Sequence, residues 1–412
     1  MTILAQSSLK KSETEPIKKV VVTLFEDKDQ GAYRQFLQAR ASIGRVPFEY
    51  TLEWKDIIQK HFGFTPYHLL ARNPAEKIVG ILPLFKAESI FGKRIVSTPY
   101  AIFTGILADD EGVARELLTF AKQLAQEQQV DFLELREKPV SYGRGVHITD
   151  LTTLNNISPM DNISSMNDIS TVSSISSMNY ISTMSYISTV KNVFNFSLHL
   201  SEHHEDVWKK LPKGSVRWGI TKAKRSGLTV QSGNTKQDLD TFYDLFLQTR
   251  KWRGVPAYPY GYFKEIIAVF GDQVKIYTSF FEGKPAASIF LIYHHKEVRY
   301  AFAGAVHKLK IMALQPYHLI IWEAITDACR NGYTLFNFGG ATLATNEGGL
   351  YEFKRKWADT VEEVPYYYFL NKGGKIPTPD QSPLLRIASK VWAMLPLSLI
   401  KLLSPKVIRQ FV

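Results

Sequence analysis

The amino-acid sequence predicts an α/β fold of layered sheet and helix, arranged as two blocks with a low-complexity insert between them. Three observations carry that prediction. Residues 20–150 alternate buried-strand and amphipathic-helix patterns. Residues 151–192 place isoleucine at every sixth position in a nearly uncharged background of Ser, Thr, Asn and Asp. Residues 193–370 return to strand and helix signals, in the order strand, basic segment, helix, three strands, helix, strand. At about 150 residues per domain, 412 residues leave room for two to three units, and a 45% hydrophobic composition can supply their cores.

In the first block, Val20-Val21-Val22-Thr23-Leu24-Phe25 reads as a buried strand. Segments 67–71 and 78–84 flank the turn signal Asn73-Pro74, which predicts an antiparallel pair. A helix is expected from about Glu111, with Asp109 and Asp110 available as caps. Val113, Leu117, Leu118, Ala121 and Leu124 line one of its faces. Phe132-Leu133-Glu134-Leu135 follows as a strand. In the insert, Ile157, Ile163, Ile169, Ile175, Ile181 and Ile187 keep the six-residue period. A β-helix coil has such periods, but these copies are short and lack glycine. A mobile loop or irregular ribbon without a chemical role is therefore expected.

The second block opens with a strand at 193–200 and the basic segment 209–225, then an amphipathic helix at 238–250. Segments 275–281, 286–293 and 298–303 read as consecutive strands joined by tight turns, the first turn containing Glu282-Gly283-Lys284-Pro285. A helix starts near Pro316 and stops at Asn331-Gly332, because proline suits a first turn and glycine suits the position past the last. Leu335-Phe336-Asn337-Phe338 is a further strand, closed by Gly339-Gly340. The tail, 381–412, holds Arg386, Lys390, Lys401, Lys406 and Arg409 and no acidic residue, among leucines interrupted by Pro396 and Pro405. Short basic amphipathic pieces of this kind suit an anionic membrane surface; they suit equally a tail packed across the domain.

Composition removes several classes of function. The single cysteine, Cys329, rules out an internal disulfide and a cysteine-based metal site. The excess of 50 Lys+Arg over 39 Asp+Glu, +11, points to polyanionic neighbours: nucleic acid, anionic lipid or phosphorylated substrates. The first twenty residues lack the apolar core of a signal peptide, and no apolar run reaches membrane-spanning length. The expected compartment is the cytoplasm, with the tail reaching the inner face of the plasma membrane. The motifs G-x-S-x-G, H-E-x-x-H, the P-loop and the dinucleotide glycine fingerprint do not occur, which weighs against serine, metal and NTP hydrolysis. His203-His204 and His294-His295 are adjacent pairs that point apart on any regular element, so no metal site is expected.

The residues left to carry chemistry lie late in the chain. Gly339-Gly340 and Gly348-Gly349 permit close approach of backbone N–H groups to a ligand. Phe353-Lys354 then sets an ammonium beside an apolar wall, a combination that can hold a phosphate or polarise a carbonyl. A plain loop followed by a solvated basic turn is the competing reading. Segment 209–225 holds seven cations and no acid; on a helix Arg217, Thr221 and Lys224 share a face. That face suits a phosphate of a pyrophosphate-linked precursor or of nucleic acid, or else is merely solvated. Arg250, Trp252 and Arg253 could extend the same groove. Tyr300, on a central strand beside Gly304, is either a guide for an amine proton or a core tyrosine.

Several segments together resemble the FemAB-type peptidyl/acyl transferases. Gly80-Ile81-Leu82-Pro83-Leu84, followed by Phe91-Gly92 and Ser97-Thr98-Pro99, resembles that family's G-x-L-P-L … G … S-x-P stretch. Phe132-Leu133-Glu134-Leu135-Arg136 is similar to its strand l-E-L-R, and Arg217 through Gly227-Leu228 to its R-x-x-I-x-k-A-x-k-x-G-L. The run from Trp322-Glu323-Ala324-Ile325 through Phe338-Gly339-Gly340 to Phe353-Lys354 resembles its closing motif. The likeness covers most of residues 30–370 outside the repeat. It implies two tandem GNAT-like acyltransferase domains, 20–150 and 193–370, around the insert 151–192, with the tail 381–412 beyond. It further implies transfer of an acyl or aminoacyl group to an amine of a peptidoglycan, other cell-envelope or exopolysaccharide precursor, phosphorylated or lipid-linked. Lys354 inherits the family's substrate-groove lysine and, with Tyr300, makes the expected catalytic pair. Arg217, Lys224, Arg250, Gly339, Gly340 and Phe353 are the expected substrate-binding set. No tightly bound cofactor is implied, and the donor stays open between acyl-CoA and aminoacyl-tRNA. Segment 238–370 has no heptad run for the helical arm of tRNA-using relatives, and 303–310 lacks the paired glycines of a standard CoA loop. An acetyl-CoA-dependent small-molecule N-acetyltransferase and a non-catalytic scaffold of envelope assembly are the alternatives.

Overall fold

The computed structural model describes residues 20–137, 186–190, 193–342, 348–371 and 383–411. The first block forms β1 (Val21–Leu24), α1 (Gln30–Ile43), α2 (Leu52–Phe62), β2 (Thr65–Pro66), β3 (Leu69–Arg72), β4 (Ile78–Leu82), β5 (Leu84–Ser89), β6 (Gly92–Ser97), β7 (Leu107–Ala108), α3 (Glu111–Glu127) and β8 (Phe132–Arg136). After β9 (Tyr186–Val190) come β10 (Val193–His199), α4 (His204–Lys210), α5 (Trp218–Arg225), β11 (Thr229–Gly233), α6 (Lys236–Trp252) and α7 (Tyr260–Phe270). The chain continues through β12 (Val274–Phe281), β13 (Lys284–His294), β14 (Glu297–Ala305), α8 (Leu309–Met312), α9 (Pro316–Arg330), β15 (Leu335–Thr342), α10 (Gly348–Trp357), β16 (Thr360–Glu363) and β17 (Tyr366–Leu370). The tail forms α11 (Pro383–Met394) and α12 (Leu397–Val407).

Local chemistry accounts for the main boundaries. Asp110 Oδ1 accepts the Val113 N–H at 2.9 Å and caps α3, whose apolar stripe is buried. Thr235 and Asp238 form a reciprocal capping box at the start of α6. Pro316 opens α9, and Gly332, at φ 70°, follows its end. Glu282 and Gly283 both take positive φ, 49° and 69°, the conformation of a two-residue hairpin loop between β12 and β13.

The described residues form three sheets, in the orders β1-β3-β4-β7, β2-β5-β6-β8-β17-β9 and β11-β12-β13-β14-β15-β10-β16. The α/β expectation holds, with three differences in detail. The single strand predicted at 78–84 divides at Pro83, which has no N–H to give a ladder, and β4 and β5 join different sheets. The strand expected to close at Gly339-Gly340 runs on to Thr342, with Gly339 paired to Phe196 and Gly340 to Asn195. Most of the repeat lies outside the described residues, but its last five residues form β9, antiparallel to β17.

One aromatic core joins both blocks and the tail. Phe48, Trp54, Phe62 and Phe85 pack with Phe242, Phe263 and Phe290, and with Ile400 and Ile408. The inner face of the tail is fixed by hydrogen bonds as well: Ser404 Oγ accepts the Ala257 N–H at 3.0 Å, and Tyr100 Oη donates to the Ile408 carbonyl at 3.0 Å. Among the described residues, no helix is long and apolar enough to cross a membrane.

Candidate functional site

The second sheet-and-helix layer opens at one place. β14 and β15 run parallel, but only Glu297–Arg299 pair with Leu335–Asn337; beyond that both strands continue unpaired with one another. Tyr300, Ala301, Phe302 and Ala303 are accordingly half-buried although their strand is central in the sheet. Because ladder groups alternate in direction along a strand, every second backbone N–H and C=O in this stretch faces the gap that β15 has left. β15 itself is bulged there. Phe196 pairs with Gly339 and Ser197 with Asn337, leaving Phe338 as the extra residue. Gly339 takes φ 74°, and its N–H donates to Asn337 Oδ1 at 2.7 Å.

Lys354 faces inward from α10 toward this wedge. Its side chain is buried, 6% exposed, and Nζ donates to the Gly340 carbonyl at 2.7 Å. A Cβ on Gly339 would stand 3.7 Å from Lys354 Nζ and 3.5 Å from the Tyr300 carbonyl, so the ammonium, the glycine pair and Tyr300 surround one point. Phe353 lies edge-on to His318, ring centroids 5.6 Å apart, and forms the apolar wall beside Lys354. Burial pushes the Tyr300 phenol far above its ordinary pKa, so it stays protonated at neutral pH. Ile102 of the first block covers the side-chain positions of the glycine pair, 3.1 Å from where a Cβ would stand on either Gly339 or Gly340. Gly348 and Gly349 begin α10 instead of forming a loop.

The three cations of the expected binding set have different settings. Arg217 ends a π-helical turn, Lys213–Arg217, that packs against α10; it is half-buried over the Trp208 ring, and its Nε is buried without an acceptor. Lys224 forms an exposed ion pair with Glu323 at 3.3 Å. Arg250 donates from Nε and Nη2 to the Pro256 carbonyl, at 2.8 and 2.6 Å, and so braces its own turn. Thr249 and His307 escape sequence reasoning, whereas Trp252 is read there beside Arg250. Thr249 Oγ1 lies 2.9 Å from His307 Nε2 and accepts the Ala305 N–H at 2.9 Å, and Trp252 stacks on His307 at 4.3 Å. Asn337, two residues before Gly339, had a readable signal, since Asx side chains bond backbone two residues on. A surface cavity of about 410 Å³ in the first block, lined by Phe25, Lys55 and His68 among others, touches none of these residues.

Known proteins are similar to this chain. The profile of a family described as an acetyltransferase (GNAT) domain matches residues 213–355, the stretch that carries β14, β15 and Lys354. UDP-N-acetylmuramoylpentapeptide-lysine N(6)-alanyltransferase of Weissella viridescens is 27% identical over 150 residues, 36% of this chain; the match spans 43% of that curated relative. The crystal structure of FemX superposes with a TM-score of 0.58 at 11% identity, covering 90% of this chain and 100% of that one. A tandem GNAT protein from the clavulanic acid biosynthesis pathway superposes with a TM-score of 0.50 at 10% identity, over 85% and 98% of the two chains. The structural likenesses show the fold, a tandem GNAT architecture similar to that of FemX, and the sequence match adds a partial likeness to the alanyltransferase.

Proposed function

We propose that the protein is an N-acyltransferase that moves an acyl or aminoacyl group onto an amine of a cell-envelope precursor, with peptidoglycan precursors the first class to examine. The observation that carries the reading is the wedge between β14 and β15, with Lys354 Nζ held on the Gly340 carbonyl of one wall. The similarity to an alanyltransferase acting on a UDP-N-acetylmuramoylpentapeptide supports the substrate class.

In such a reaction a neutral amine attacks the acyl carbon, a C–N bond forms, and the C–O or C–S bond to the donor breaks. The amine loses a proton and the departing alkoxide or thiolate gains one. Negative charge gathers on the former carbonyl oxygen meanwhile, and an ammonium held in a half-closed site stabilises it with little reorganisation. Lys354 is assigned that role. Backbone groups of β14 facing the gap would align an extended, amide-containing substrate. Tyr300, kept protonated by burial, suits proton relay to the leaving group better than free base catalysis. The unmet Nε of Arg217 supports a phosphate of the precursor beside α10. Lys224 and Arg250 take outer and bracing parts. We set the reaction at the cytoplasmic membrane face, where a lipid-linked precursor is met, with the basic tail as support for that setting.

The test offers labelled acyl-CoA and aminoacyl-tRNA separately, with envelope extract, and follows the label by mass spectrometry. Lys354→Ala is expected to lower turnover about 100-fold or more, as loss of one oxyanion donor does, while circular dichroism stays unchanged. Undiminished turnover in that variant removes the assignment, and transfer confined to small soluble amines replaces the envelope substrate.

A further inference from the structure

We propose that α11 and α12 form a docking surface for an anionic lipid membrane. This rests on the membrane setting given above, and is independent of the transfer chemistry.

The two tail helices have opposite faces with opposite fates. Inward, Ile400, Ser404 and Ile408 are buried against both blocks, so the tail is a fixed part of the molecule. Outward, α11 presents Leu384, Ile387, Val391 and Met394, which are 76%, 60%, 53% and 79% exposed. Their spacing of three, four and three residues puts them in one row along the helix. On α12, Leu399, Leu402 and Leu403 are exposed too, Leu402 to 70%. Exposed aliphatic rows of this kind mark an interaction surface.

Charge chooses the occupant. Arg386 and Lys390 border the row on α11, Lys406 stands among the outward leucines of α12, and no carboxylate side chain occurs from 381 to 412. A second copy meeting this face about a twofold axis would set cations against the same cations, with no acid on the tail to pair them. An anionic lipid surface answers both features at once, taking aliphatic side chains below its headgroups and lysines and arginines among them. The opposite face of α11 is fixed to the molecule: at Gly254 an added Cβ would come within 2.4 Å of the Ser389 carbonyl, so α11 is pressed on the turn that follows α6 and its aliphatic row is turned away from it.

Co-sedimentation of the full chain with phosphatidylcholine vesicles, with and without phosphatidylglycerol, tests this docking surface. Wild-type protein is expected to pellet with the anionic vesicles, less so at high salt. The triple variant Ile387→Glu, Met394→Glu, Leu402→Glu alters exposed positions alone. It is expected to lose about tenfold or more of this binding while keeping its melting temperature and its transfer to a lipid-free acceptor. Wild-type protein left in the supernatant with both vesicles, triple-variant binding equal to wild type, or a wild-type dimer in sedimentation velocity that the triple variant dissolves would each overturn the proposal. Vesicle binding without any acyl transfer would leave the docking surface standing and remove the reaction.

Discussion

Arg299 is the last residue of β14 that pairs with β15, opposite Asn337, so it occupies the apex of the wedge. Its Nη1 meets Glu49 of the first block at 3.0 Å and its Nη2 meets Glu297 at 2.9 Å, all three side chains being buried. The Phe48 and Phe103 rings lie 5.7 and 5.3 Å from its guanidinium carbon. Burial pulls the Glu49 carboxyl above its ordinary pKa, and Arg299 opposes that pull. Arg299→Leu leaves two carboxylates without their cation and is expected to cost about 3–5 kcal/mol, read as a lower midpoint in urea unfolding; an unchanged midpoint would show that the brace is dispensable. Little of this was legible in the sequence, because Glu49 and Arg299 lie 250 residues apart. For Lys354, phenylalanine before it and glycine pairs upstream fit a plain loop and solvated turn as well, and the family resemblance was what singled it out. Arg250 takes a local partner, the Pro256 carbonyl six residues away, and no spacing distinguishes a turn brace from a ligand contact.

At the scale of elements, β14 lies on α6 so closely that side chains are excluded at one point. A Cβ on Gly304 would come within 2.3 Å of the Phe246 backbone nitrogen and 2.5 Å of the Leu245 carbonyl carbon. Backbone cannot yield as a flexible side chain does, so Gly304→Ala must push strand and helix apart, at a cost of about 1–3 kcal/mol. A depressed melting temperature is expected, together with slower transfer, because the same strand lines the wedge. A melting temperature equal to wild type would show that the two elements tolerate separation. Elements with strong periodicity or caps, such as α3, α6 and α9, were legible to within a few residues. Pro83 was an available signal for the β4–β5 break, since proline inside a run argues against one strand. β16 and β17 were not readable as a pair, because their partners come from two different sheets and no local pattern records that.

For the whole molecule, buried histidines in both blocks make stability depend on pH. Burial lowers the pKa of His68 and His294 from 6.5 to about 3, and that of His318 to about 4 with a smaller push from Lys356. In the unfolded chain each takes up a proton near pH 6.5, while the folded protein resists until much lower pH. The unfolded state therefore binds more protons in between, and stability rises with pH across that window. The contribution is fully present above about pH 6.5 and is lost as pH falls toward 4, with His318 alone accounting for about 3 kcal/mol. Thermal melts between neutral and acid pH are expected to show this slope, and His68→Leu to flatten it; parallel curves would assign the acid sensitivity elsewhere.

The passage from β16 to β17 has a consequence for how the wedge can be reached. Only Val364 and Pro365 separate strands that belong to different sheets. The Val364 N–H donates to the Val193 carbonyl at 2.8 Å, and the Pro365 carbonyl accepts the Glu137 N–H at 3.1 Å, so each residue is stitched to a different side. A clamshell hinge needs a span able to swing clear of both walls, and this one is sewn to each. Any opening of the wedge thus falls to loops and side chains at its rim, with the two sheets held at a constant separation.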